Sequence, residues 1–256
     1  MKIHKTAIIS SKSEIGADVK IGPYTVIEDD VIIGDGCDVS SSVLIASGTR
    51  IGKNCKVFHS AVLGTIPQDL KYDGEKTTLE IGENTTIREF ATLNRGTKDS
   101  WKTVIGNNCL LMAYSHTAHD CHLGNNVIIA NSVNMAGHVL MDDYVGVGGI
   151  CPVHQFVRIG KHAFIGGASK VTKDVPPFVL AMGEPFRYAG LNRVGLTRRG
   201  FSEETINSIK NAYRIIFQSK HTVKDALMIV EDEIEPISEV LDILKFFRDS
   251  ERGIIR

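Results

Sequence analysis

Aliphatic residues recur at every sixth position along this chain. From Ile3 the series runs unbroken through Ile9, Ile15, Ile21, Ile27, Ile33, Val39, Ile45, Ile51, Val57 and Leu63. It returns in the same frame at Ile81, Ile87 and Leu93, and again from Ile105 through Leu111, Leu123, Ile129, Met135, Met141, Val147, Val153, Ile159, Ile165 and Val171, with Thr117 the one break in the last run. Taking each of these as position i, a small or β-branched residue stands at i+4, and i+2 and i+3 are rich in Gly, Asn, Asp and Lys. Positions i+4 and the next i lie two apart, so on a strand they share one face while the residue between them points away. Val43 and Ile45 then face inward and Leu44 outward. Positions i+2 and i+3 supply the turn.

A six-residue unit that buries two side chains cannot fold alone and must stack on copies of itself. The spacing predicts a mainly β chain: a parallel β-helix in the form of a triangular prism, with residues eighteen apart stacked about 4.8 Å from one another. Two segments, 65–80 and 96–103, lack the frame, which resumes in phase after each; they are predicted to be loops extruded from the prism, where binding residues tend to sit. The repeat ends after Pro177. Ser202-Glu203-Glu204 reads as a helix N-cap with an acidic first turn, and Ile206, Ile209, Tyr213, Ile216 and Phe217 follow at helical spacing. Shorter helical stretches at 223–230 and 238–247 complete a small C-terminal α-helical domain. The expected division is a β-helix over 1–185 and helices over 186–256.

Charge and composition narrow the function. A formal net charge of −1 over 256 residues gives no global field for nucleic acid. The N-terminus lacks the apolar core of a signal peptide, and nowhere do eighteen apolar residues run together, so no integral membrane segment and a cytoplasmic location are expected. Cys37, Cys55, Cys109, Cys121 and Cys151 all fall at i+4. They are expected to be packed interior thiols, which argues against a cysteine nucleophile.

The register also sorts the histidines of Ser115-His116-Thr117-Ala118-His119-Asp120-Cys121-His122. His116 and His122 occupy i+5 on successive faces and His119 sits on the corner between them, so the three cannot share a metal ion within one chain. Stacking by eighteen sets Gly137 above His119, Asn134 above His116 and His138 above Asp120, with His154 and Gln155 one coil further on. An imidazole can take a proton from a hydroxyl, and a carboxylate beside it can fix its tautomer. The Gly137 N–H, unshielded by a side chain, can meet an oxyanion. The constellation suits acyl transfer to a hydroxyl without a covalent enzyme intermediate. Whether Asp120 serves His119 or His138 is open at this level.

Several motifs carry a resemblance over essentially the whole chain: His116-Thr-Ala-His119-Asp120-Cys121, Ala136-Gly137-His138-Val139, Val153-His154-Gln155-Phe156, Asp174-Val-Pro-Pro177 and Gly195-Leu-Thr-Arg198-Arg199-Gly-Phe201. Together they resemble the bacterial UDP-N-acetylglucosamine O-acyltransferase family. The resemblance implies left-handed coils, a homotrimer with active sites between subunits, and transfer of a 3-hydroxyacyl chain from acyl carrier protein to the 3-hydroxyl of UDP-N-acetylglucosamine, with no metal and no cofactor. It implies His119 as general base, Asp120 as its partner and Gly137 as oxyanion donor. Gln68, Asp69 and Lys71 would line the site from the first loop. His116, His138, His154 and Gln155 would contact sugar, diphosphate or base, and Asn192 and Arg198 the nucleotide end. Glycine at 167 would leave the acyl groove open to a longer chain. A UDP-diamino sugar as acceptor, or a non-catalytic β-helical scaffold, remain as alternatives.

Overall fold

A computed structural model of the chain describes residues 2–256. Short strands form three sheets of eleven, eight and eight strands, parallel except for the last strand of the first, and the chain visits the three in rotation. Partners stand eighteen residues apart where the repeat is regular, as for Lys20 with Asp38 and Asn134 with Pro152. Across the first loop Val57 pairs with Ile87, thirty apart, an insertion of twelve; across the second Ile87 pairs with Leu111, twenty-four apart, an insertion of six. Both loops leave from the corner between the second and third sheets, so the prism continues undisturbed beneath them.

Every frame residue from Ile21 to Val171, Thr117 included, is buried, and the five cysteine thiols pack free among them. Ile3, by contrast, is 45% exposed, because the first coil has no coil beneath it. The corners hold a feature that the Gly, Asn and Asp bias understates. Position i+3 adopts a left-handed backbone at every corner from Asp18 to Ala168 other than the two from which the loops leave, including Tyr24 (φ 59°), Tyr114 (φ 62°), Asp120 (φ 58°), His138 (φ 61°), Ile150 (φ 60°) and Phe156 (φ 62°). A bulky residue there costs about 1–2 kcal/mol. The rings of successive coils offset part of this by stacking: Phe90 on Tyr114 with centroids 5.1 Å apart, His138 on Phe156 at 4.4 Å and Tyr144 on His162 at 4.7 Å.

A hairpin of Val179–Met182 and Arg187–Leu191 extends the first sheet and so spans position 185. Four helices follow: α1 (Arg193–Arg198), α2 (Glu203–Gln218), α3 (Val223–Glu233) and α4 (Ser238–Asp249). The Ser202 hydroxyl caps α2 by accepting from Thr205 N–H. That helix buries Ile206, Ile209, Tyr213 and Ile216 and ties itself to the last coil through the Tyr213 hydroxyl, which donates to Pro177 O at 2.6 Å. No helix among the described residues is long and apolar enough to cross a membrane.

Candidate active site

One corner of the prism, between the second and third sheets, collects the polar groups. Strand His116–Thr117 ends there, and the left-handed turn at Asp120 brings its carboxylate back beside the preceding imidazole. His119 Nδ1 lies 2.8 Å from Asp120 Oδ2, whereas His138 Nε2 is 3.8 Å away. Asp120 therefore partners His119. The backbone N–H of His138 donates to His119 O at 3.1 Å, which fixes the spacing of the two coils, and the two rings meet edge to face at 5.2 Å.

Asp120 is held by the second loop. Thr97 N–H donates to Oδ1 at 2.9 Å, Thr97 Oγ1 to Oδ2 at 2.7 Å, and the Ser100 hydroxyl to Oδ1, while Asp120's own N–H donates to Thr103 Oγ1 at 2.9 Å. Burial alone would push this carboxyl up, but the donors from Ser100, Thr97 and His119 outweigh it and hold the group down at about 2. Four close donors fill the four lone-pair sites of a carboxylate. His119, Asp120 and His138 stand near enough to one another to hold a metal ion, yet this saturation leaves Asp120 poorly placed to serve as a ligand. Thr97 and Ser100 escaped sequence reasoning because the 96–103 segment showed only as a gap in the repeat. The available signal was a buried acid at a corner, which must find donors, next to an insertion carrying hydroxyls.

Around this dyad the other expected residues are placed unevenly. Gly137 is buried directly above His119, and among the described residues no acceptor takes its N–H. His116 faces outward on the second sheet with Nδ1 2.7 Å from Thr92 Oγ1; burial first, then the nearby His119, pushes its imidazole below the usual range. His122 lies on the third sheet and faces a separate cavity beside α4. His154 and Gln155 are exposed on the next coil. Asn192 caps α1, accepting from Gly195 N–H at 3.2 Å, and its Nδ2 donates to His162 O at 2.9 Å, so it also docks the helix on the prism. Arg198 is exposed at the end of α1, and Arg199 lies over the Tyr144 ring at 5.2 Å. Gln68 and Lys71 are exposed and Asp69 half-buried; the loop folds on itself, with Lys71 N–H donating to Asp69 Oδ1 at 3.0 Å.

Comparison with known proteins bears on this arrangement. Residues 12–47 and 102–137 match the bacterial transferase hexapeptide model, and 174–255 match domain 2 of UDP-N-acetylglucosamine O-acyltransferase. The acyl-[acyl-carrier-protein]–UDP-N-acetylglucosamine O-acyltransferase of Thermodesulfovibrio yellowstonii is 49% identical over 257 residues, which cover 100% of this chain and 99% of that protein. This chain belongs to the UDP-N-acetylglucosamine O-acyltransferase family. The same enzyme of Sinorhizobium fredii is 43% identical over 99% of this chain and 94% of its own. A crystal structure of the family's LpxA from Bacteroides fragilis superposes with a TM-score of 0.98 at 45% identity, covering 99% of both chains, and one from Acinetobacter baumannii with 0.96, also at 45% identity and 99% coverage. Membership in the O-acyltransferase family accords with a site that offers a base, a carboxylate and a bare backbone N–H.

Proposed function

We propose that this chain transfers a 3-hydroxyacyl group from acyl carrier protein to the 3-hydroxyl of UDP-N-acetylglucosamine, the first step of lipid A biosynthesis. The observation that carries the reading is the 2.8 Å contact of His119 Nδ1 with a buried, ionised Asp120. A proton on Nδ1 satisfies the carboxylate and leaves the Nε2 lone pair for the sugar hydroxyl. As Nε2 takes that proton, the hydroxyl oxygen attacks the thioester carbonyl. The developing oxyanion meets the Gly137 N–H, and the imidazolium is stabilised by Asp120. Collapse breaks the carbon–sulfur bond, and the proton on Nε2 goes to the departing thiolate of the carrier, which leaves as the free thiol. No enzyme nucleophile is needed.

His116, His138, His154 and Gln155 line the approach to this corner as contacts for sugar and diphosphate, and Arg198 offers a paired donor for phosphate at the nucleotide end. Asn192 serves that end too, through its remaining donor and lone pair. The chain acts as a cytoplasmic homotrimer. Leu70, fully exposed at the tip of the first loop, supports a role for Gln68, Asp69 and Lys71 in the site of a neighbouring subunit.

The test mixes the protein with UDP-N-acetylglucosamine, its 3-amino analogue and a series of 3-hydroxyacyl carrier proteins. Acylation of the hydroxyl sugar is expected; no acylated sugar with any pair would sink the reading. His119→Ala is expected to lower kcat by about two to four orders of magnitude without changing the melting temperature.

A further inference from the structure

The chain's last residues turn back onto the final coil. Asp174 N–H donates to Gly253 O at 3.0 Å, Ile255 N–H to Asp174 O at 3.1 Å, and the Ser250 hydroxyl to Asp174 Oδ2 at 2.7 Å. Asp174 and Ile255 are both buried. This strap carries Arg252 to the upper end of the polar corner. Its Nε donates to Thr172 O at 3.1 Å, and its terminal nitrogen lies 2.7 Å from His154 Nδ1, ninety-eight residues away in sequence. Arg252, His138 and Phe156 together line a cavity of about 520 Å³.

Two groups compete for His154 Nδ1, and they demand opposite tautomers. The Gln155 carbonyl, 3.2 Å away, can only accept, so it would draw a proton onto Nδ1 and leave Nε2 bare. A guanidinium can only donate and keeps its charge, so it requires a bare Nδ1 and places the ring proton on Nε2. The charged donor at 2.7 Å outweighs the neutral carbonyl at 3.2 Å. Nε2–H then points away from the strap as a donor, which suits the oxygens of a sugar or a phosphate.

We infer that Arg252 is a positioning residue that holds His154 in its Nε2–H tautomer and so makes that imidazole a hydrogen-bond donor to the nucleotide sugar. The inference rests on the acyltransferase reading for its substrate and on geometry for its tautomer, so two measurements separate them. In ¹⁵N-histidine-labelled protein, with the resonance assigned through His154→Gln, wild type shows Nε2–H. Arg252→Met shows the shift to Nδ1–H. In steady-state assays Arg252→Met raises KM for UDP-N-acetylglucosamine about tenfold, the scale of one hydrogen bond, with kcat within about twofold of wild type. Ser250→Ala, which loosens the strap without touching His154, leaves both near wild type. Arg252→Lys keeps the charge with a shorter reach and raises KM about threefold; it is the working variant if Arg252→Met does not fold. Nδ1–H in wild type, an unchanged spectrum and KM in the Arg252 variants, or an equal KM rise in Ser250→Ala overturns the inference. If wild type does not turn over the nucleotide sugar, the substrate half falls with the acyltransferase reading, while the spectrum still decides what Arg252 does to His154.

Discussion

Gly137 and His119 approach so closely that a methyl group on Gly137 would stand 2.5 Å from Cε1 of the imidazole and 2.8 Å from Nε2. A Cβ atom essentially never stands that close to a neighbour, and the ring is already pinned by Asp120, so it cannot move aside without losing the 2.8 Å bond. The bare α-carbon at 137 thus does two things. It exposes the N–H to an oxyanion and admits the base to its working position.

Gly137→Ala separates those two effects because alanine keeps the N–H. We expect kcat to fall by about two orders of magnitude, the penalty typical of a misplaced catalytic group, while Gly137 stays at an ordinary backbone angle and the chain still folds. The measurement is kcat beside a thermal melt. Near-normal kcat would mean that the ring shifts freely and that the close contact has no catalytic consequence.

The grip of the second loop on Asp120 leads to a different signature. Thr97→Val removes a charged hydrogen bond, worth about 1.5–3 kcal/mol, and takes away one of the donors that hold the carboxyl low. Its titration should therefore move upward from about 2, read directly from the labelled Asp120 carboxyl by ¹³C NMR, and kcat should fall because the carboxylate is held less firmly against His119. KM should change little, since Thr97 touches Asp120 rather than substrate, and Thr97→Ser should restore both kcat and the titration. A KM effect with an unmoved Asp120 titration would count against this account.

These hydroxyls show where the sequence stops being informative. The period of six determined the prism, the inward cysteines and the separation of His116 from His122, because burial repeats with the fold and leaves its mark at every step. It also placed Gly137 over His119, since stacking by eighteen is the same regularity read vertically. Thr97, Ser100 and Arg252 lie outside the repeat. Their partners are fixed by an inserted loop and a returning C-terminus, whose paths depend on hydrogen bonds that no periodicity encodes. The choice between His119 and His138 as partner of Asp120 turned on about an ångström, which spacing cannot resolve. The left-handed corners were legible at Asp18 or Asn54, where residue type favours them, and hidden at Tyr114 or Phe156, where stacking across coils carries the strain.

His162 gives the protein an acid sensitivity that can be removed. Its ring is buried between Tyr144 and Phe178, and Nδ1 has no hydrogen-bond partner among the described residues. Burial first, then the charges of Arg199 and Lys161, push it down from 6.5 to about 4. Between those values the unfolded chain binds a proton that the folded chain refuses. Stability from this site is complete above pH about 6.5 and declines as pH falls toward about 4, by up to about 3 kcal/mol. His162→Phe keeps the stacked column and abolishes the titration. Melting temperatures at pH 7 and pH 4.5 should differ markedly for wild type and less for the variant; equal differences would show that other groups govern the acid limb.

Gly167 leads to a prediction about substrate length. It lies with Gly149 on the corner between the first and second sheets, and a side chain starting there would meet only the Gly149 backbone, 3.3 Å from its oxygen and 3.7 Å from its nitrogen. The position is exposed, so a larger residue fits with a shift of a few tenths of an ångström and projects over the surface instead of into the prism. If the acyl chain runs from the His119 corner across the outer face of the second sheet, a methionine at 167 blocks its far end. Each methylene that loses its burial costs about 0.8 kcal/mol, roughly fourfold in rate. Gly167→Met should therefore shift the preferred 3-hydroxyacyl donor to a shorter chain and slow the longest donors by about two orders of magnitude, while the shortest react as with wild type. Competition between donors of graded length in one reaction reads the preference directly. An unchanged ranking in Gly167→Met would place the end of the chain elsewhere and remove Gly167 from the specificity of the site.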